Sequence, residues 1–259
     1  MLSELHRQNE YLKNLNRIEF VVTMACTGKC KHCSEGNHES CKEHLNGDIS
    51  SQAILQLCKH QKIDSLMVFG GEPLLYPEDV CKIFKAGMKA MIPQREMITN
   101  GYFSKDRKRI DEVATMLADS GVMYIMLSVD AFHQETIPIE PVFYFAKCIR
   151  DRGIKIEVNP AWLVSEADDN PYNVKTGEIL KLFLDEGFEL ANGNIIWPEG
   201  NARVNLSEYF DLSVPFENPY EDDPKDIRAL SFEPDGRVLN GNIYDKDILD
   251  IIEEYRPNN

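Results

Sequence analysis

Short runs of apolar and β-branched residues alternate along the chain with longer amphipathic stretches. This rhythm favours repeated strand–helix units around a parallel sheet. The predicted strands cover 18–23, 65–69, 95–99, 123–129, 155–159 and 189–197. The predicted helices cover 51–60, 77–91, 105–120, 141–152 and 175–186, and glycines follow the last three at 121, 153 and 187.

Six such units are too few for a closed eight-fold barrel, so the pattern leaves a partial barrel or an open doubly wound sheet. The pattern breaks after residue 205, where acidic residues and prolines concentrate in 217–226. A hairpin is predicted over 229–240, turning at 234–236, and a helix over 245–255. We therefore expect a core over 1–205 and a small C-terminal extension over 206–259.

The composition narrows the class of protein. The chain has 259 residues, 43% of them hydrophobic and 27% charged, which is enough to bury a full core. A net charge of -15 disfavours binding to nucleic acid and to anionic lipid. No apolar run approaches the roughly 20 residues that span a bilayer, and the first residues are polar. We expect a cytoplasmic protein with neither membrane nor nucleic acid as a partner.

Three of the seven cysteines stand together as Cys26, Cys30 and Cys33, just after the first predicted strand. An odd cysteine count without an export signal disfavours a disulfide framework, so metal-binding thiols are considered. A structural zinc site needs a fourth ligand, for which the sequence offers candidates. An iron–sulfur cluster held by three cysteines leaves one iron open. The spacing alone leaves both alternatives open; the candidate fourth zinc ligands are His32, His38, Cys41 and His44.

Polar groups and glycines also follow the other predicted strands. Loops at the carboxyl ends of parallel strands meet at one edge of a sheet, where ligands bind. One shared cleft explains why every exit carries such residues. The exits hold Gly70, Gly71, Glu72 and Pro73, then Asn100, then Ser128, Asp130 and His133, then Asn159, and finally Trp197.

Together, the C-x3-C-x2-C loop, the GGEP exit at 70–73 and the S-x-D exit at 128–130 resemble the radical S-adenosylmethionine (SAM) enzymes. The resemblance covers about residues 18–205. It implies an α/β fold, a partial (β/α)6 TIM-like barrel. It also implies that Cys26, Cys30 and Cys33 hold one [4Fe-4S] cluster whose open iron is chelated by SAM.

The resemblance further implies SAM contacts. His32 would pack near the adenine, and the methionine amino group would meet 70–72, mainly through backbone carbonyls. Ser128 and Asp130 would contact the ribose or carboxylate. For Asp130 the alternative is helix capping, for Trp197 a place in the core, and for His32 a solvent-facing loop. The expected cofactor-binding residues are His32, Gly70, Gly71, Glu72, Pro73, Asn100, Ser128, Asp130, Asn159 and Trp197.

The chemistry that the resemblance implies is reductive cleavage of SAM to a 5′-deoxyadenosyl radical, which abstracts hydrogen from a substrate. Flavodoxin or ferredoxin would deliver the electron. Cys41 is a candidate hydrogen donor and His133 a candidate substrate contact. The substrate is not identified; the acidic balance suggests a neutral or basic one, such as a peptide or small amine. The tail over 231–243, with the helical stretch 247–254, resembles the end of a SPASM or twitch extension in a truncated form, but no cysteine follows Cys148 to bind an auxiliary cluster.

Two alternatives compete with this hypothesis. A zinc-stabilised, non-catalytic binding protein would close the three-cysteine site with His38 or Cys41. A degenerate relative would bind SAM but serve as a scaffold for a partner. The GGEP and S-x-D exits disfavour the zinc protein, because a zinc scaffold has no use for them.

Overall fold

The computed structural model describes residues 9–36, 41–216, 218 and 221–257. Seven parallel strands form its main sheet, in the order β7-β5-β4-β3-β2-β1-β9, and the remaining four form two short pairs, β6 with β8 and β10 with β11. The strands are β1 (Arg17–Val21), β2 (Ser65–Phe69), β3 (Gln94–Thr99), β4 (Tyr124–Ser128), β5 (Lys155–Asn159), β6 (Ala161–Trp162), β7 (Glu189–Leu190), β8 (Asn194–Ile195), β9 (Ala229–Phe232), β10 (Arg237–Val238) and β11 (Gly241–Asn242).

Helices follow the strands and cover one face of the sheet, where α1 packs on α2, α2 on α3, and α3 on α5. Short 3-10 turns lie at Glu10–Leu12, Pro73–Leu75 and Ser207–Tyr209. The helices are α1 (Gly47–Leu57), α2 (Pro77–Lys89), α3 (Arg107–Ser120), α4 (Ala131–Gln134), α5 (Ile139–Asp151), α6 (Pro171–Asp185), α7 (Gly200–Asn205) and α8 (Ile248–Glu254).

Alternation along each strand separates the core from a cleft. In β1 the side chains of Ile18 and Phe20 are fully buried under the helices, whereas Val21 lines the cleft on the opposite face. The same holds in β2, where Val68 is buried and Met67 lines the cleft. Because all seven strands run the same way, their carboxyl ends meet at one edge.

The α/β partial-barrel prediction is confirmed, and the strands predicted at 65–69 and 155–159 match β2 and β5 at both ends. The strand predicted at 189–197 is divided into β7 and β8. Gly193 lies between them at φ +79°, and a Cβ there would stand 2.4 Å from the carbonyl oxygen of Pro160. The chain therefore leaves the main sheet at this glycine, and β8 pairs with β6 instead.

The hairpin predicted at 229–240 is wrong. The turn exists, since the Gly236 amide donates to the Glu233 carbonyl, but β9 joins the main sheet parallel to β1. The rings of Phe20 and Phe232 stack at 4.6 Å across this pair, which buries both. The proposed division at residue 205 stays a prediction. Among the described helices, none is both long and apolar enough to span a membrane.

Candidate functional site

A cleft of about 1620 Å³ lies on the sheet face that the helices leave uncovered. Strand side chains form its wall, and the segments after the strands form its rim. The structure thus brings together most of the predicted site residues, although Glu72 and Pro73 do not line the cleft. Those that do are Cys26, Cys30, His32, Cys33, Cys41, Gly70, Gly71, Asn100, Ser128, Asp130, His133, Asn159 and Trp197.

The three clustered cysteines lie in the loop after β1, which we call the cysteine loop (residues 24–36). All three are free thiols, with Cys30 buried and the other two half-buried. Cys26 Sγ accepts hydrogen bonds from the Gly28 amide at 3.4 Å and from Asn100 Nδ2 at 3.5 Å. Asn100 at the exit of β3 therefore reaches a cysteine on the exit of β1.

Burial disfavours the thiolate form of these three cysteines in the metal-free protein. Burial raises the pKa of Cys26 to about 11, and it also raises the pKa of Cys30 and Cys33. Nearby carboxylates, Glu72 for Cys26 and Asp130 for Cys30, and neighbouring thiols raise the pKa of these two cysteines in addition. Three thiolates in such a place need a compensating positive charge, and bound metal supplies it.

This donor set fits an iron–sulfur cluster bound through three cysteines, because three soft sulfur ligands from one short loop line the same cleft. Of the other candidate ligands, His44 does not line the cleft. Its ring stacks on Tyr76 at 3.8 Å and its Nε2 lies 3.6 Å from Asp79. Cys41 does line the cleft, and His38 falls outside the described residues.

Gly70 and Gly71 allow the exit of β2 to lie directly against the cysteine loop. A Cβ on Gly71 would stand 2.3 Å from the carbonyl oxygen of Ala25, and one on Gly70 2.4 Å from that of Thr23. The Gly71 amide donates to Thr23 at 2.7 Å, and the Glu72 amide to Ala25 at 2.9 Å. The resemblance implied that 70–72 meet the methionine amino group; the close contacts of the two glycines are with the backbone that leads to the cysteines.

The Glu72 carboxylate ties the exits of β2 and β3 together and is fully buried. It accepts hydrogen bonds from the Leu74 amide (2.9 Å), the Asn100 amide (2.9 Å) and the Thr99 hydroxyl (2.7 Å). Burial raises its pKa to about 7, although these hydrogen bonds act in the opposite direction. The side chain thus positions Asn100, whose own side chain contacts Cys26. Thr99 was not singled out in the sequence.

The Asp130 side chain caps helix α4. Its Oδ1 accepts from the Phe132 amide at 3.0 Å and the His133 amide at 2.9 Å. Its Oδ2 lies 2.8 Å from His133 Nδ1 and accepts from the Ala161 amide at 3.0 Å. Burial opposes ionisation, but His133 and the hydrogen bonds hold the pKa of Asp130 below its usual range. These contacts are those of the helix-capping alternative.

His32 lies beside this cap, with its ring 5.0 Å from that of Phe132 and 4.9 Å from that of His133. Burial lowers the pKa of His32 to about 4, so the ring is neutral near pH 7. Its Nδ1 is buried and has no hydrogen-bond partner among the described residues. The ring is therefore not the solvent-facing loop histidine of the alternative prediction.

The remaining predicted contacts stand on the rim. Ser128 and Asn159 are register partners at the ends of β4 and β5. Trp197 lines the same cleft and stacks on Phe216 at 5.4 Å. It is half-buried rather than part of the core. Their roles toward SAM stay predictions.

Sequence reasoning missed the part that Asn201 plays. Its Nδ2 donates to the carbonyls of Cys30 and Gly36, each at 3.2 Å, and its amide donates to the Cys33 carbonyl at 2.8 Å. A Cβ on Gly200 would stand 2.5 Å from that same Cys33 oxygen. The glycine–asparagine pair after the last predicted strand was the available signal, and its function is to hold the cysteine loop.

A family model of the Radical SAM superfamily matches residues 20–159, more than half of the chain. The chain belongs to the radical SAM superfamily. The matched segment runs from β1 to the end of β5 and contains the three clustered cysteines, Glu72 and Ser128.

Two curated relatives match parts of this radical SAM protein. It is 26% identical over 146 residues to the GTP 3′,8-cyclase of Microcystis aeruginosa. This matched segment covers 54% of the present chain and 40% of the cyclase. It is 31% identical over 99 residues to a putative glycyl-radical enzyme activating enzyme of Methanocaldococcus jannaschii, covering 36% of each. The chain thus spans less than half the length of the curated relatives it matches.

Solved structures share the fold. Native anSMEcpe with bound AdoMet superposes with a TM-score of 0.61 at 14% identity, covering 94% of this chain and 81% of that one. Streptococcus suis SuiB bound to precursor peptide SuiA gives 0.56 at 17% identity, covering 93% and 65%. At such identities the likeness supports the fold alone.

Superfamily membership makes the protein an enzyme and supports cleavage of SAM by a radical mechanism. It implies an iron–sulfur cluster and SAM as cofactors. It disfavours the non-catalytic zinc protein.

Proposed function

We propose that this enzyme binds one [4Fe-4S] cluster through Cys26, Cys30 and Cys33 and uses it to cleave SAM. The observation that carries the proposal is the placement of the three clustered thiols on the wall of one large cleft. When bound, the cluster and SAM supply a 5′-deoxyadenosyl radical that abstracts hydrogen from a substrate. The protein supplies binding, orientation and a shielded cavity.

The chain's own residues would bind SAM around the cysteine loop. We assign the methionine amino group to the backbone carbonyls of 70–72. Ser128 and Asn159, paired at adjacent strand ends, present hydroxyl and amide groups to the ribose or carboxylate. His32 and Trp197 offer planar rings to the adenine from the cleft wall. Asp130 acts through the α4 cap, because its oxygens already accept four hydrogen bonds.

Apolar strand side chains form the part of the cleft wall in the middle of the sheet. Such a surface excludes water around a reactive radical and favours a single orientation of the substrate. The cleft is large enough for a peptide side chain or a small amine beside SAM, and we propose one of these as the substrate. The wall residues are Val21, Met67, Phe69, Ile98 and Met126.

Cys41 remains the proposed hydrogen donor, since it lines the same cleft. His133 remains a proposed substrate contact through the ring nitrogen that does not face Asp130. A flavodoxin or ferredoxin is the proposed source of the electron. A cytoplasmic location belongs to the proposal, because the thiols have to stay reduced.

Anaerobic reconstitution tests the proposal. Protein loaded with iron and sulfide is mixed with SAM and dithionite, and 5′-deoxyadenosine is measured by chromatography. We expect release by the wild type and by Cys58→Ala, because Cys58 is the C-cap residue of α1 and does not line the cleft. We expect none by alanine variants of Cys26, Cys30 or Cys33. A fully loaded, reduced wild type that binds SAM without cleaving it would instead support the scaffold alternative and refute the proposal.

A further inference from the structure

Cys30, His32 and His133 place three metal-binding atoms together on the cleft wall. Cys30 Sγ and one ring nitrogen of each histidine all lie within 4.8 Å of one another. In a tetrahedral zinc site the bonds to sulfur and nitrogen are about 2.0–2.3 Å, so ligand atoms stand about 3.5 Å apart. Metal binding therefore requires these atoms to approach one another by up to about 1.3 Å. We propose that these three residues bind one Zn²⁺ ion when the cluster is absent.

One ring nitrogen of His133 already has the carboxylate partner that is typical of a zinc-bound histidine. Its Nδ1 lies 2.8 Å from Asp130 Oδ2. The same carboxylate is fully buried and held by the amides of Phe132 and Ala161. A carboxylate that accepts from one ring nitrogen fixes the tautomer and leaves the lone pair of the other nitrogen for the metal. Asp130 is thus a positioning residue for this site.

His32 gives an independent indication of a ligand. Its Nδ1 is buried and lacks a hydrogen-bond partner among the described residues. Buried ring nitrogens without a partner are unfavourable, and such groups in native structures call for an unseen partner. The ring lies against that of His133, 4.9 Å away, so one ion satisfies both histidines. Cys30 then supplies the thiolate, and the fourth position is left to water.

This site differs from a zinc site built on the three cysteines, because it needs only one of them. It also shares Cys30 with the proposed cluster. Zinc and the cluster therefore exclude one another, and a zinc-loaded chain has to release its ion before the cluster is assembled. The site acts as a block on cluster loading that depends on the supply of zinc.

Cobalt is the probe for this proposal, since Co²⁺ takes zinc sites and absorbs visible light. Metal-free protein is titrated anaerobically with Co²⁺, and Zn²⁺ is then added in competition. We expect one equivalent of tetrahedral Co²⁺, with charge-transfer absorption of a single thiolate, displaced by Zn²⁺. The Cys26→Ala/Cys33→Ala double variant and the matched control Cys41→Ala should keep this spectrum.

His133→Ala and His32→Ala should each weaken Co²⁺ binding at least tenfold. Circular dichroism checks that both variants fold, and His133→Gln serves if the alanine variant does not. Absorption of three thiolates that disappears in the cysteine double variant would assign the ion to the cysteine triplet and overturn the proposal. So would the absence of Co²⁺ binding by the wild type. Neither result depends on SAM cleavage, so this proposal and the proposed function fail separately.

Discussion

Glu72 links the exits of two neighbouring strands, and its replacement by alanine is expected to destabilise the whole chain. The substitution leaves three buried donors without an acceptor: the amides of Leu74 and Asn100 and the hydroxyl of Thr99. Each buried unsatisfied donor costs about 1–3 kcal/mol. Relief from burying the carboxylate offsets part of this loss, so we take the lower bound of about 3 kcal/mol.

Thermal unfolding of the metal-free protein measures this cost. For a chain of this size each kcal/mol lowers the Tm by about 2–4 °C, so Glu72→Ala should unfold about 6–12 °C below the wild type. Glu78→Ala is the matched control, because that carboxylate is exposed and pairs with Arg109 on the surface. We expect the control to change the Tm by less than about 2 °C. An equally small change for Glu72→Ala would refute the assignment of Glu72 as the link between the strands.

Three further predictions concern the same region. Asn100→Leu removes a hydrogen-bond donor to Cys26 and should therefore make the cluster harder to reduce. We expect the reduction potential to fall by roughly 60 mV, which corresponds to a tenfold change in equilibrium constant, in an EPR-monitored redox titration without SAM. An unchanged potential would contradict this. The pKa of Glu72, raised to about 7 by burial, means that the folded state holds a proton that the unfolded state releases between about pH 4.5 and 7. Stability should therefore fall across that window by up to about 3 kcal/mol relative to Glu72→Gln, and parallel urea-unfolding profiles for the two proteins would contradict the shift. Gly71→Ala should prevent cluster loading, measured as bound iron, because no space exists there for a Cβ. The control Gly177→Ala lies in open space on α6, so it should load normally, and its free energy of unfolding should rise by about 0.5–1 kcal/mol. Full iron loading of Gly71→Ala would contradict the close approach.

Local sequence patterns were sufficient to predict the fold class and the presence of one cleft. Parallel strands share one edge at their carboxyl ends, so reading each exit predicted which residues would meet there. The pairing of β9 with β1 was not predictable in this way, because the two strands are at opposite ends of the described chain and no local signal connects them. The turn at Gly236 favoured a hairpin, and tertiary packing of Phe232 on Phe20 decided otherwise.

The hydrogen-bond partners of the carboxylates in the site could not be predicted from the sequence either. The resemblance implied SAM contacts for Glu72, mainly through its backbone carbonyl, and for Asp130, with helix capping as the alternative. In the structure both carboxylates are occupied by backbone amides and neighbouring side chains, and their roles toward SAM stay predictions. An acidic residue at a strand exit looks the same in the sequence whether its carboxylate points into the cleft or into the protein interior. Only the three-dimensional arrangement distinguishes the two. Asn201 shows the reverse case, a residue with a weak signal and a clear structural role.

The place of β1 between β2 and β9 bears on how the protein matures. As the chain emerges from the ribosome, β1 can pair with β2 early, but its other side stays an open edge until β9 has been synthesised. Until then Phe20 lacks its stacking partner Phe232, and an open strand edge of this kind favours aggregation. The cysteine loop extends from the end of β1, so iron delivery is best timed after translation is complete.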